Sequence, residues 1–148
     1  MNIDQLKGAL AIIVSAGSGK RMGGVKKNFL SLLDMPVLVR TLKAFEESNR
    51  VSAVVVVVAS DDVEVCKAEI VEKYNLKKVA GVVPGGSERQ DSVARGLDFI
   101  ESALRGDKDP VVAIHDGARC LVTTEIIDRV IAAAESSGAA LACVPVKD

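Results

Sequence analysis

The chain has no tryptophan, one tyrosine and three phenylalanines among 148 residues, and its formal net charge is −1. A nucleic-acid surface favours a basic face and aromatic stacking platforms, so both scarcities argue against that class of partner. Cysteine is sparse and odd in number. Cys66, Cys120 and Cys143 are widely spaced and form no Cys-x-x-Cys pair, which suggests neither a disulfide framework nor a zinc site and fits a reducing cytoplasm. Long hydrophobic runs are missing too: the longest, Ala53 to Ala59, is far too short to cross a bilayer. The first residues carry Asp4 and Lys7 and lack a signal-peptide pattern. A soluble, cytoplasmic protein with no membrane partner is expected. Histidine occurs once, and His115, with no second histidine to join it, reads as a packing or hydrogen-bonding residue. Acidic residues are absent between Asp4 and Asp34, so nothing nearby in sequence offsets Lys20, Arg21, Lys26 and Lys27.

What is abundant is aliphatic. Hydrophobic residues make up 49% of the chain, enough for one domain over residues 1–148 with a sizeable core. Apolar runs rich in Val and Ile stand at Ala9 to Val14, Ala53 to Ala59, Val79 to Val83 and Val111 to Ile114, with a fifth at Ala139 to Val144. Continuous runs, as opposed to alternating ones, indicate strands covered on both faces, as in a parallel sheet. Helical patterns lie between them. Val63, Cys66, Ile70 and Tyr74 recur at helical spacing, as do Val93, Leu97, Ile100 and Leu104, the latter behind a possible Ser87–Gln90 capping box. Pro36 suits the first turn of a helix through Phe45, and Thr123 or Thr124 could cap one through Ala134. The alternation predicts right-handed crossovers and a doubly wound, mostly parallel α/β sheet whose ligands sit at the C-terminal strand ends. The final Pro145-Val146-Lys147-Asp148 follows a strand abruptly and reads as a truncation.

Three post-strand loops carry polar chemistry. The first, Ser15-Ala16-Gly17-Ser18-Gly19-Lys20-Arg21-Met22 with Lys26-Lys27 behind it, joins a glycine turn to four cations, which suits a phosphate chain. It is not a Walker A loop, because Val14 and Arg21 stand where a glycine and a Ser or Thr are required. Nor is it a dinucleotide fingerprint, because Met22 replaces the third glycine. The second is Gly85-Gly86-Ser87-Glu88-Arg89-Gln90-Asp91-Ser92. It can approach a flat base closely and hydrogen-bond it through Ser87 or Ser92, or be a plain strand-to-helix turn. Arg89 equally suits a surface ion pair. The third, His115-Asp116-Gly117-Ala118-Arg119, can hold Mg²⁺ through Asp116 and grip a second anionic substrate through Arg119; Asp116 as a simple loop cap is the other reading. A doubly wound sheet would bring all three loops to one crevice.

Read together with Lys27-Asn28-Phe29-Leu30, these motifs resemble the 2-C-methyl-D-erythritol 4-phosphate cytidylyltransferase family, in order from about Ala11 to Asp148. The resemblance implies a Rossmann-like nucleotidyltransferase fold, CTP and a sugar-alcohol phosphate as substrates, Mg²⁺ as cofactor, and a homodimer for the full-length protein. It makes Arg21 and Lys27 the catalytic cations at the α-phosphate. It lines the nucleotide with Ser15, Ala16, Gly17 and Gly19, surrounds cytosine with Gly86, Ser87 and Ser92, and sets Asp116 against ribose and Mg²⁺ and Arg119 against the second substrate's phosphate. Lys26, Asn28 and Cys120 depart from the proline, glutamine and proline usual in the family, and Ser87 replaces an acidic residue found in some members. A further stretch carrying a second catalytic lysine and a dimerising arm normally follows the segment resembling Pro145 to Asp148. Two rivals stand beside this reading: a ribitol 5-phosphate cytidylyltransferase, and a nucleotide-binding module without catalysis. A nicotinamide-dependent oxidoreductase is more distant, because the glycine fingerprint fails and Asp61 and Asp62 come too late for a ribose-binding acid.

Overall fold

The computed structural model describes residues 7–17, 29–104 and 109–145. Strand β1 covers Ala9–Ser15, and a short antiparallel ribbon, β2 (Ser31–Leu32) with β3 (Met35–Pro36), leads into helix α1 (Val37–Glu47). Strand β4 (Val51–Val58) follows, then α2 (Val63–Cys66), which continues as a π-helical stretch over Lys67–Glu72. The remaining order is β5 (Val79–Pro84), α3 (Arg89–Ala103), β6 (Val112–Asp116) and α4 (Thr124–Ser137). The four long strands pair in parallel in the order β5-β4-β1-β6. The chain steps outward from β1 to β4 and β5, then returns to the other side of β1 with β6. The switch point therefore lies between the C-terminal ends of β1 and β6, where open α/β sheets bind ligands.

Alternate strand residues bury on opposite faces, because successive side chains point to opposite sides of the pleat. Ala11, Ile13, Val54, Val56 and Val58 form one core with Leu38, Leu42 and Phe45 of α1, Cys66 and Ile70, and Ile127 and Ile131 of α4. Leu10, Ile12, Val55 and Val57 form a second core with Ile100 of α3. Each Val, Leu, Ile or Phe side chain among them contributes about 1.5–3 kcal/mol on leaving water, which is the physical reason for the Val- and Ile-rich runs in both central strands. Helix α3 lies close to the sheet at Gly96, where an added Cβ would stand 2.7 Å from Ile12 Cγ2.

The sequence expectations for the first four strands hold within one or two residues. Helix starts differ slightly. Pro36 is the N-cap of α1, outside its first turn, and the capping box of α3 is Glu88 with Asp91 in place of Ser87 with Gln90. Asp91 accepts from the Glu88 backbone N–H at 2.9 Å and from the Ser87 hydroxyl at 2.8 Å. Thr123 does cap α4, accepting from Ile126 N–H, and Gly138 ends that helix at φ +86°, a conformation that favours glycine. The fifth expected strand is a correction. Ala139 to Val144 adopts no ladder, and Leu141 and Val144 are exposed. An apolar run reports a capacity for burial, whereas a strand also needs a partner edge, and no described strand pairs with this segment. An open cleft of about 820 Å³ is lined by β6, α4 and the chain leaving Gly138.

Candidate active site

The first two polar loops meet at Ala16. Gly85 follows β5 and donates its N–H to Val58 O at 2.7 Å, which holds the β5 exit against the end of β4. A Cβ on Gly85 would fall 2.4 Å from Ala16 Cβ and 2.8 Å from Ser92 Oγ, so only a hydrogen fits between the loops. Ser92, buried on α3, accepts from Gly86 N–H at 3.2 Å and donates to Glu88 O at 3.1 Å. Its hydroxyl thereby ties the glycine pair to the first turn of the helix. Ser87 is exposed beside it.

The third loop joins at Ser15 and α3. Gly117 donates to Val14 O at 2.8 Å and its carbonyl accepts from the buried Thr41 hydroxyl of α1 at 2.7 Å. A Cβ on Gly117 would sit 3.0 Å from Ser15 Oγ and 3.1 Å from Leu38 Cδ1. This anchoring sets Asp116 at the end of β6, opposite the helix start that bears Arg89. Arg89 donates from Nε and Nη2 to Asp116 Oδ1 at 3.1 and 3.0 Å, and Arg119 donates from Nε to Oδ2 at 2.7 Å. The cluster carries one net positive charge.

Electrostatics follow from that contact. Partial burial pushes the Asp116 carboxyl up, but hydrogen bonds and charge from Arg119 and Arg89 outweigh it and hold the group below its ordinary value. Asp116 is therefore ionised at neutral pH. Burial lowers the pKa of neighbouring His115, with the Asp116 charge acting in the opposite direction. Its ring packs on Phe45 at 5.2 Å between centroids, and its buried Nδ1 has no hydrogen-bond partner among the described residues. His115 is thus a neutral packing residue, in line with the sequence reading.

Ser15, Ala16, Gly86, Ser92 and Asp116 come together at the strand ends, with Ser87, Gly17 and Arg119 on the exposed side of the same loops. Gly19, Arg21 and Lys27 lie outside the described residues. The surface ion pair allowed for Arg89 is borne out, with Asp116 as its partner, and two signals in the sequence went unread. Arg89 is a cation in the first turn of α3, where the helix dipole disfavours positive charge, and that mismatch was the available signal. Thr41 shares the apolar face of α1 with Leu38, Leu42 and Phe45, and a hydroxyl there calls for a buried acceptor.

Among the described residues no three His, Cys, Asp or Glu side chains converge as a metal cage. Asp116 offers a single carboxylate. Mg²⁺ is commonly bound by one or two carboxylates together with substrate phosphates, so this donor set fits a Mg²⁺ carried on a nucleotide and does not fit a metal held by protein alone. No helix of the described residues is long and apolar enough to cross a membrane.

Comparison with known proteins bears on the family and the fold. The family described as IspD, 2-C-methyl-D-erythritol 4-phosphate cytidylyltransferase, matches residues 9–148. A protein of that name from Alkaliphilus metalliredigens is 45% identical over 93% of this chain and 55% of its own length. One from Geobacter metallireducens is 44% identical over 93% and 59%. Among solved structures, a 4-diphosphocytidyl-2C-methyl-D-erythritol synthase superposes with a TM-score of 0.70 at 27% identity, covering 90% of this chain and 57% of that one. The synthase from Anaerococcus prevotii gives 0.66 at 27% identity, covering 88% and 52%. The chain spans about half the length of the curated relatives it matches. The doubly wound sheet, the three loops gathered at its switch point and a family match across nearly the whole chain lead to one conclusion: this chain belongs to the 2-C-methyl-D-erythritol 4-phosphate cytidylyltransferase family.

Proposed function

We propose that this chain carries the nucleotide half of a cytidylyltransferase that moves CMP from CTP to 2-C-methyl-D-erythritol 4-phosphate and releases pyrophosphate, a step of non-mevalonate isoprenoid synthesis. The observation that carries this reading is the meeting of the three loops: Ala16 against Gly85, Ser15 against Gly117, and Arg89 on Asp116. Ser15, Ala16, Gly17 and Gly19 line the nucleotide, and Gly86, Ser87 and Ser92 surround cytosine, with Ser92 orienting the Gly86 N–H. Asp116 faces ribose and Arg119 the phosphate of the second substrate.

The chemistry asks for positioning above all. A phosphate oxygen of the sugar-alcohol attacks the α-phosphorus of CTP, the bond to the β-phosphate oxygen breaks, and pyrophosphate leaves with the electron pair. The attacking oxygen is already anionic and needs no general base. What the protein supplies is alignment and positive charge against the crowded α-phosphate, the task we assign to Arg21 and Lys27. Mg²⁺, when bound, neutralises phosphate charge, and Asp116 is the residue that would hold it. We place the reaction in the cytoplasm; Cys66, Cys120 and Cys143 are all free thiols, as a reducing compartment requires. A homodimer of the full-length enzyme belongs to the same reading.

Calorimetric titration of the chain with CTP, ATP, GTP and UTP in Mg²⁺ tests it. Saturable binding of CTP above the others is expected. Equal binding of all four, or binding of none by a chain extended to the full length of its relatives, would overturn the cytidylyltransferase assignment.

A further inference from the structure

Both oxygens of Asp116 are engaged by cations of the protein itself. Arg89 closes on Oδ1 with two nitrogens and Arg119 on Oδ2 with one, at 2.7 to 3.1 Å. The two arginines come from different elements: Arg89 from the first turn of α3, Arg119 from the loop after β6. Arg89 stands where the helix dipole opposes it, so the carboxylate is what holds it there. Three N–H groups occupy most of the about four lone-pair sites of this carboxylate, so a divalent cation approaching Asp116 must displace a guanidinium or share an oxygen with one, against a local excess of positive charge.

We propose that Arg89 is a positioning residue that, together with Arg119, locks Asp116 against divalent cations in the nucleotide-free protein, so that metal reaches this carboxylate only alongside an anionic ligand that draws the arginines away. The lock is weak by construction. The side chains of Arg89 and Arg119 are 60% and 74% exposed, and ion pairs that exposed hold little energy. A phosphate can therefore recruit either guanidinium without dismantling the fold. That the recruiting anion is CTP rests on the function proposed above; the lock itself does not.

The test is paramagnetic broadening of amide NMR signals by Mn²⁺ on the nucleotide-free chain, read at Asp116 and Gly117. Wild type is expected to show the same slight broadening there as Asp116→Asn. The Arg89→Gln/Arg119→Gln double variant, which removes both cations, is expected to broaden these signals several-fold more at equal Mn²⁺, and Arg89→Lys with Arg119 intact should return to the wild-type level. Strong broadening in wild type that Asp116→Asn abolishes would overturn the lock. So would an unchanged double variant whose amide dispersion shows it folded. Adding CTP to wild type is the separate arm: broadening that appears at Gly117 supports release by the nucleotide. Failure of CTP to bind would count against the proposed function and leave the Mn²⁺ comparison standing.

Discussion

Gly85 and Ala16 are packed so closely that a methyl group on Gly85 would lie 2.4 Å from the Ala16 Cβ, well inside the distance at which two carbons repel. This contact joins the loop after β1 to the loop after β5, and it tolerates only hydrogen. The shape of the crevice depends on it.

Gly85→Ala is expected to push these loops apart and to lower stability by about 1–3 kcal/mol, the usual cost of overpacking. CTP binding should weaken more than the melting temperature suggests, because the displaced groups are the ligand's own walls. Urea denaturation beside calorimetric titration reads both effects, and unchanged CTP affinity would remove this contact from the site.

Thr41→Val replaces a buried hydroxyl by a methyl of similar volume and strands the Gly117 carbonyl that accepts from it at 2.7 Å. A loss of about 1–3 kcal/mol is expected from the unsatisfied acceptor. The amide signals of Asp116 and Gly117 should shift with it, whereas those of β5 should not.

His115 gives the stability a pH dependence. Its folded pKa lies below the ordinary 6.5, so as pH falls through that value the unfolded chain takes up a proton that the native chain resists. The unfolded state then binds more protons and stability falls with falling pH. Asp116, also depressed, adds its own loss only further down, below its ordinary 3.8. Melting temperatures measured between about pH 7 and 5 should decline in wild type and decline less in His115→Gln.

Lys27→Ala, made in the full-length enzyme, should lower kcat by about 10²–10³-fold, the scale of losing one charge-stabilising donor, with little change in melting temperature. A matched loss of stability would count against a catalytic role for this cation.

Thiol reactivity separates the three cysteines. Burial, followed by the charge of Asp62, pushes the Cys66 thiol up to about 12, and its side chain is closed to solvent. A thiol reagent should label Cys143 and Cys120 in the native chain and reach Cys66 only on unfolding. Labelling of Cys66 at the native rate of Cys143 would mean that the core beneath the π-helical stretch opens readily.

Much of the fold was legible in the chain because its two central strands are buried on both faces, whereas the edge strands Val79–Pro84 and Val112–Asp116 are only half-buried despite equally apolar runs. Strands buried on both faces must be apolar at every position, and Ala9 to Val14 and Ala53 to Ala59 advertise that without ambiguity. The run at Ala139 to Val144 has the same composition and forms no strand, since composition carries no information about a partner edge. The glycine loops were legible through residue type and spacing. The pairing of Arg89 with Asp116 was not, because 27 residues separate them and only the order of strands makes them neighbours.

The sequence by itself determined the class of the fold, the positions of its loops and their chemical vocabulary, since hydrophobic runs, glycine turns and charge are local properties of the chain. The tertiary structure alone decided which loops touch and what state Asp116 is in. Placing β6 beside β1 fixes that loop against Ser15, α3 then brings Arg89 across to Oδ1, and a carboxylate's availability is set by the charges that packing brings to it.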